Sequence, residues 1–170
     1  MKSILKGATA GLALVSMVGH AWAAGACARP QEAMALKTAA MQQELMVAAL
    51  YCNDVSQYNH FVVSFQRELQ ASDAALMRFF QHGHGGASAY HAYKTALAND
   101  FSLSSLHGMV EFCSMANAHF DASNGQQTLA LFISSQSVRG AEAYQPCDRT
   151  VAGAEAIAGR SARVASNRRN

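Results

Sequence analysis

Between Gln31 and Cys52, the residues Met34, Thr38, Met41, Leu45, Ala48 and Cys52 recur at alternating spacings of four and three. That period places all of them on one side of a helix. Leu36, Ala40, Val47 and Leu50 flank the stripe and widen the apolar arc, while Lys37, Gln43 and Glu44 leave only a narrow wet face. A helix that apolar needs neighbours on most sides, so the segment is expected to be the central helix of a bundle.

The rest of the chain supplies those neighbours. After Asn53-Asp54, Tyr58, Phe61, Val62, Phe65 and Leu69 repeat the helical period. Ser72 can cap a third, short helix containing Leu76, Phe79 and Phe80, and His82-Gly83-His84-Gly85-Gly86 ends it, because glycine disfavours helix propagation. Ser88 can cap a fourth helix with Tyr90, Tyr93, Leu97 and Phe101 on one side. A fifth, from about Ser105 to Ala122, carries Met109, Phe112, Cys113, Ala116 and Phe120, with Gly125 placed to end it. The apolar run from Thr128 to Ser134 fits a strand or a helix. With no second strand to pair its backbone groups, helix is the better reading. The expected fold is therefore all-α: a compact bundle of five or six helices.

Four cysteines allow three complete pairings. Cys27 and Cys52 flank the first helix, which would hold them about 30 Å apart, against about 4.4–6.8 Å between bridged Cα atoms. Of the two remaining pairings, Cys52 with Cys113 joins two core stripes and leaves Cys27 with Cys147 to join the ends of the core. Two disulfides are thus expected to staple the bundle. There is no C-x-x-C, so a redox pair is the weaker reading.

Disulfides require an oxidising compartment, and the N-terminus reads as the route there. Lys2 and Lys6 precede an uncharged, largely apolar run from Gly7 to Val18, and Ala21-Trp22-Ala23 supplies a small-x-small cleavage pattern before Ala24. The run spans about 12 residues, short of the roughly 20 of a transmembrane helix. Residues 1–23 are accordingly expected to be a cleaved secretory signal, delivering a bacterial protein to the periplasm or medium with no transmembrane segment in its mature form. Acylation at Cys27 would leave an unpaired cysteine, and Ala24-Gly25-Ala26 lacks the usual leucine.

About 147 residues then remain, enough for one domain, 24–147, and a terminal segment, 148–170. The domain has six Lys/Arg against nine Asp/Glu and is mildly acidic. The last segment carries Arg149, Arg160, Arg163, Arg168 and Arg169 against Asp148 and Glu155, in a background of alanine, glycine and serine. Its few large aliphatics cannot offset its ordering entropy, so a disordered basic tail is expected. Such a tail can contact anionic surfaces. Without interleaved aromatics, it does not read as a specific nucleic-acid binder.

The most suggestive chemical feature is the histidine set His82, His84 and His91, a His-x-His loop followed by a histidine on the next helix. Imidazoles ligate copper, nickel and zinc, which makes the loop a candidate metal site. The plainer reading is a polar glycine-rich turn, because no Asp or Glu lies between Asp73 and Asp100 and the cysteines are better used as disulfides. No resident cofactor is predicted. Met34, Met41, Met46, Met77, Met109 and Met115 sit on helical stripes, where thioethers fill gaps in a core, rather than in the dense array of a copper(I) carrier.

Enzyme signatures are missing: no G-x-S-x-G, H-E-x-x-H, phosphate loop, haem attachment or dinucleotide fingerprint. No catalytic residue is therefore assigned. Carboxylates such as Glu44, Asp54, Glu68, Asp73, Asp100, Glu111 and Asp121 can meet in space, but their spacing selects no pair. Most are expected in solvent, with Asp54 and Asp73 in first helical turns. The chain reads best as a non-catalytic binding or envelope-associated structural protein acting on an unknown envelope protein or ligand. Alternatives are a periplasmic metal-binding protein using the histidine loop and a small hydrolase with carboxylates in an interhelical cleft.

Overall fold

The computed structural model describes residues 27–147; the expected signal, 1–23, and basic tail, 148–170, lie outside the described residues. Within them the chain forms α1 (Pro30–Tyr51), α2 (Val55–Ser64), α3 (Gln66–Gln81), α4 (Gly86–His107), α5 (Met109–Ser123) and α6 (Leu129–Ser135), then a 3-10 turn at Ala141–Ala143. The only β pairing among the described residues is a single parallel bridge between Ala28 and Pro146. The bundle is all-α, as the periodicity predicts.

α1 starts at Pro30, whose fixed φ and missing N–H suit a first helical position. The Glu32 carboxylate reaches back to accept the Arg29 backbone N–H at 2.8 Å and its Nε–H at 2.9 Å. At the other end Asn53 takes a left-handed φ of 62°, and the Asp54 N–H donates to the Ala49 carbonyl at 3.1 Å, turning the chain sharply out of the helix. Between these ends α1 packs against each of the other five helices. Leu36, Ala40, Met41, Leu45 and Ala48 are fully enclosed. The central position is as expected, but the narrow wet face is not. Gln43 is buried and Glu44 is only 4% exposed, because α5 covers that side and offers His119 as a polar partner.

Phe61, Phe65 and Leu69 form the predicted stripe, with a break inside it. Phe65 ends α2 and begins α3 at φ −112°, and α3 then runs straight through Ser72, which caps nothing. The stripe survives because Phe65 stays buried at the kink, stacked against Phe132 with ring centroids 6.5 Å apart. Asp73 consequently lies in mid-helix rather than in a first turn. α4 likewise starts at Gly86, two residues before Ser88, and extends to His107, past the predicted start of a fifth helix at Ser105. His107 Nδ1–H donates to the Leu103 carbonyl at 2.6 Å, satisfying a last-turn acceptor before Gly108 breaks the helix. The run after Thr128 is helical, its first turn closed by Leu131 N–H donating to the Thr128 hydroxyl.

Both expected disulfides are present. Cys27–Cys147 and Cys52–Cys113 have Cα separations of 4.8 and 5.7 Å. They staple opposite ends of α1, whose length is about 33 Å. Beside Cys27, Ala28 N–H donates to Gln145 O and Cys147 N–H to Ala28 O, each at 2.9 Å. The returning segment is held by Tyr93, whose hydroxyl donates to the Leu36 or the Gly140 carbonyl at 3.3 Å, and by Tyr144, which packs edge-on against Phe79 and Phe80.

Candidate functional site

The predicted histidine set is dispersed into local roles. His82 caps the C-terminus of α3. The His84 ring stacks on Phe79 at a centroid distance of 3.9 Å, with its Nδ1 buried and unpartnered, and His91 stands edge-on to Tyr90. Gly83, Gly85 and Gly86 all have positive φ, so the glycines serve the tight turn between α3 and α4. Among the described residues no group of three or more His, Cys, Asp or Glu side chains is placed to hold a metal ion.

Two polar clusters join helices. In the first, Glu44 on α1 accepts a hydrogen bond from His119 Nδ1 on α5 at 2.7 Å. In the second, the Tyr90 hydroxyl contacts both Asp73 carboxylate oxygens at 2.7 and 2.8 Å, and Lys94 Nζ donates to Asp73 Oδ1 at 2.9 Å. The Lys94 ammonium also lies 5.3 Å from the Tyr90 ring centroid, within cation–π range. Burial pushes the Asp73 carboxyl up, but the hydrogen bonds from Lys94 and Tyr90 outweigh it and hold the group below its ordinary range. Burial, then the Asp73 hydrogen bond, raises the Tyr90 phenol. A tyrosine acting as a base must ionise readily; this one is held protonated, which suits a helix-joining role better than proton abstraction. Glu44 and Asp73, expected in solvent and in a first turn, are both inter-helical ties.

An open surface with binding character lies where α4 meets α5. A depression of about 560 Å³ runs between Leu103 and His107 on one side and Glu111, Phe112 and Met115 on the other. It adjoins a second of about 300 Å³ over Leu97 and Phe101, and Leu103, Ser104 and Arg139 line both. Arg139 is fixed there by a 2.7 Å hydrogen bond to the Ser104 hydroxyl. Asp100 lines the smaller depression and Glu111 the larger.

Large apolar side chains are exposed around this junction, of which Leu103 and Met115 line the larger depression. Leu103 is 54% exposed, Leu106 65%, Met109 52%, Val110 87% and Met115 43%. Met109 and Met115 are thus not core methionines, whereas Met41 is fully enclosed. Gly108 redirects the chain at this point, and α5 presents Phe112, Ala116 and Phe120 to the core, while Met109, the first residue of α5, stays half exposed. Leu50 and Tyr51, immediately before Cys52, are exposed as well. The Cys52–Cys113 bridge brings them to the same end of the bundle as Met109 and Val110, one helical turn before Cys113. The readable signal for this surface is three apolar residues left off the core stripes: Leu103, Leu106 and Val110.

No known protein family matches the chain, and no curated protein or solved structure is significantly similar to it. Among the described residues no helix is long and apolar enough to cross a membrane.

Proposed function

We propose that this is an exported bacterial binding protein, acting without catalysis, whose docking surface is the groove and the exposed apolar residues at the α4–α5 junction. The observation that carries the reading is the number of large apolar residues left exposed at this junction, Leu103, Leu106, Met109, Val110 and Met115. Single exposed apolar residues are ordinary, but two that line a groove, Leu103 and Met115, with three more exposed at the same helix junction support an interaction surface. The pattern of residues 1–23 and the two disulfides support export to the periplasm or medium. The arginines of 148–170 add attraction to anionic envelope surfaces.

Site-specific photocrosslinking tests the docking surface. A benzophenone side chain at position 110, introduced in cells producing the full chain, should form adducts that the same group at exposed Arg67 does not, and Leu106→Asp should abolish them. Adducts formed equally from both positions, or from neither, would defeat the reading. Sequencing of the mature N-terminus should begin at Ala24; an uncut chain would defeat the export assignment.

A further inference from the structure

We infer that the turn between α5 and α6 is a self-modifying site, in which the Gly125 backbone nitrogen attacks the Asn124 side-chain amide and converts Asn124 to aspartate and isoaspartate. Such an attack needs a nitrogen free of hydrogen bonding and clear of side-chain bulk. Asn124-Gly125 is the sole Asn-Gly pair in the chain. It follows the end of α5 at Ser123 and precedes the start of α6 at Leu129, and Asn124, Gly125 and Gln126 are all exposed. Asn124 has already left the helical region, at φ −66° and ψ 129°. The N–H groups of Asn124 and Gln126 donate to backbone carbonyls, whereas that of Gly125 makes no backbone hydrogen bond among the described residues. Gly125 has no Cβ to hinder the approach, and nothing lies within 4 Å of where one would stand, so the turn has room to rotate toward attack. The other described asparagines each fail a condition. Asn59, Asn99 and Asn117 lie within α2, α4 and α5, whose hydrogen-bond ladders hold the N–H that follows. Asn53 is exposed, but the Asp54 N–H after it is bound to the Ala49 carbonyl at 3.1 Å.

The new N–Cγ bond closes a succinimide, and the side-chain nitrogen leaves as ammonia with the proton of the Gly125 amide. Water then opens the ring. Cleavage of the new bond restores the backbone with aspartate at 124; cleavage of the original peptide C–N bond leaves isoaspartate, with the chain rerouted through Cβ and Cγ. The balance is one water in and one ammonia out, with no oxidant or reductant. Asn124 lines a depression of about 180 Å³ with Ser56, Gln57, His60 and Phe120. Either product places a carboxylate there in exchange for a neutral amide, at the C-terminal end of α5, where the helix dipole disfavours negative charge. The age of a chain is thereby recorded as charge between α2 and α5.

Peptide mapping of the oxidised, mature full chain, aged in mildly alkaline buffer, tests the inference. The peptide holding Asn124 should give two chromatographically distinct products of acid mass. Their rate of formation should climb in proportion to hydroxide, because the attacking nitrogen must lose its proton. Asn124 should react at least about tenfold faster than Asn53, Asn59, Asn99 or Asn117, and Gly125→Ala should slow it by about the same factor. Asn124→Gln, whose longer side chain must close a larger ring, should leave position 124 unmodified while the far-ultraviolet spectrum matches wild type. That variant keeps the test independent of any strain that an alanine at 125 puts on the turn. No reaction at 124 in the folded chain, even where a urea-unfolded sample reacts, would overturn the inference. So would equal rates at the other asparagines, a rate unchanged in Gly125→Ala, or aspartate formed with no isoaspartate, which would mean direct hydrolysis without the ring.

Discussion

The Nδ1 of His119 lies 2.7 Å from Oε1 of Glu44, and this pair joins α5 to the central helix where both side chains are largely shielded, 14% and 6% exposed. Removing one member leaves the other buried without its partner, which costs about 3 kcal/mol or more; replacing both with apolar groups of similar volume removes the orphan as well. His119→Leu and Glu44→Leu should each lower stability by that order in urea unfolding. The double variant should recover most of the loss. Costs that simply add would mean the two residues are not coupled.

The two bridges close loops of 61 and 120 residues. Loop-closure entropy alone assigns about 4 kcal/mol to Cys52–Cys113 and about 5 kcal/mol to Cys27–Cys147, each a large share of the roughly 5–15 kcal/mol that holds a domain together. Paired Cys→Ser replacements, followed by unfolding without reductant, should show losses of that order. A negligible loss for either pair would mean that packing already confines those ends.

Gly140 has a φ of 85°, and a Cβ there would overlap Leu97 Cδ2. Gly140→Ala therefore faces both backbone strain and a core side chain, and should cost about 2 kcal/mol. Gly108 is the control: its φ of −164° is extended backbone, and a Cβ would meet nothing within 4 Å. Gly108→Ala should change thermal stability by less than about 0.5 kcal/mol. Equal effects at the two positions would contradict this account of the segment that closes the fold.

Burial raises the phenols of Tyr93 and Tyr144, and burial with the Asp73 hydrogen bond raises that of Tyr90. A raised folded value contributes stability that is fully present below the ordinary tyrosine value of about 10 and is lost as pH climbs through the folded value. Tyrosinate absorbance and loss of helical ellipticity should therefore rise together above about pH 10. In acid the sign reverses. Asp73, whose burial is outweighed by its Lys94 and Tyr90 hydrogen bonds, and Glu32, bound by Arg29, are held low, so their contribution vanishes as pH falls below the ordinary carboxylate range of about 4. Asp73→Asn should flatten the acid limb of the stability curve. An unchanged limb would remove Asp73 from this role.

Helix periodicity was legible wherever a core stripe existed, which is why α1 and the disulfide pairing agree with the structure, whereas α6 was readable only because no second strand could pair with its run. The stripe hid the kink at Phe65, because a break that keeps its pivot buried leaves the spacing of Phe61, Phe65 and Leu69 intact. Serines were poor guides to helix starts: at Ser72 the preceding α3 turn already satisfied the backbone, and at Ser88 the glycine turn had begun the helix earlier. Glu44 was illegible for a different reason. A carboxylate on a helix face reads as wet until the neighbour that covers it, here His119, 75 residues away, is placed beside it. The candidate groove depends on Gly108 and Arg139 meeting in space, so its outline could not be read locally, although the stray apolar residues Leu103, Leu106 and Val110 were visible.

Ala28 and Pro146 lie side by side, and the Cys27–Cys147 bond locks together the segments that carry them. Entry and exit of the described chain therefore share one point. A pull applied across residues 27 and 147 is borne by a covalent bond and never reaches the helices, so with the bridge intact the bundle is mechanically bypassed. Reduction would convert the same pull into a force that peels the closing segment from α1.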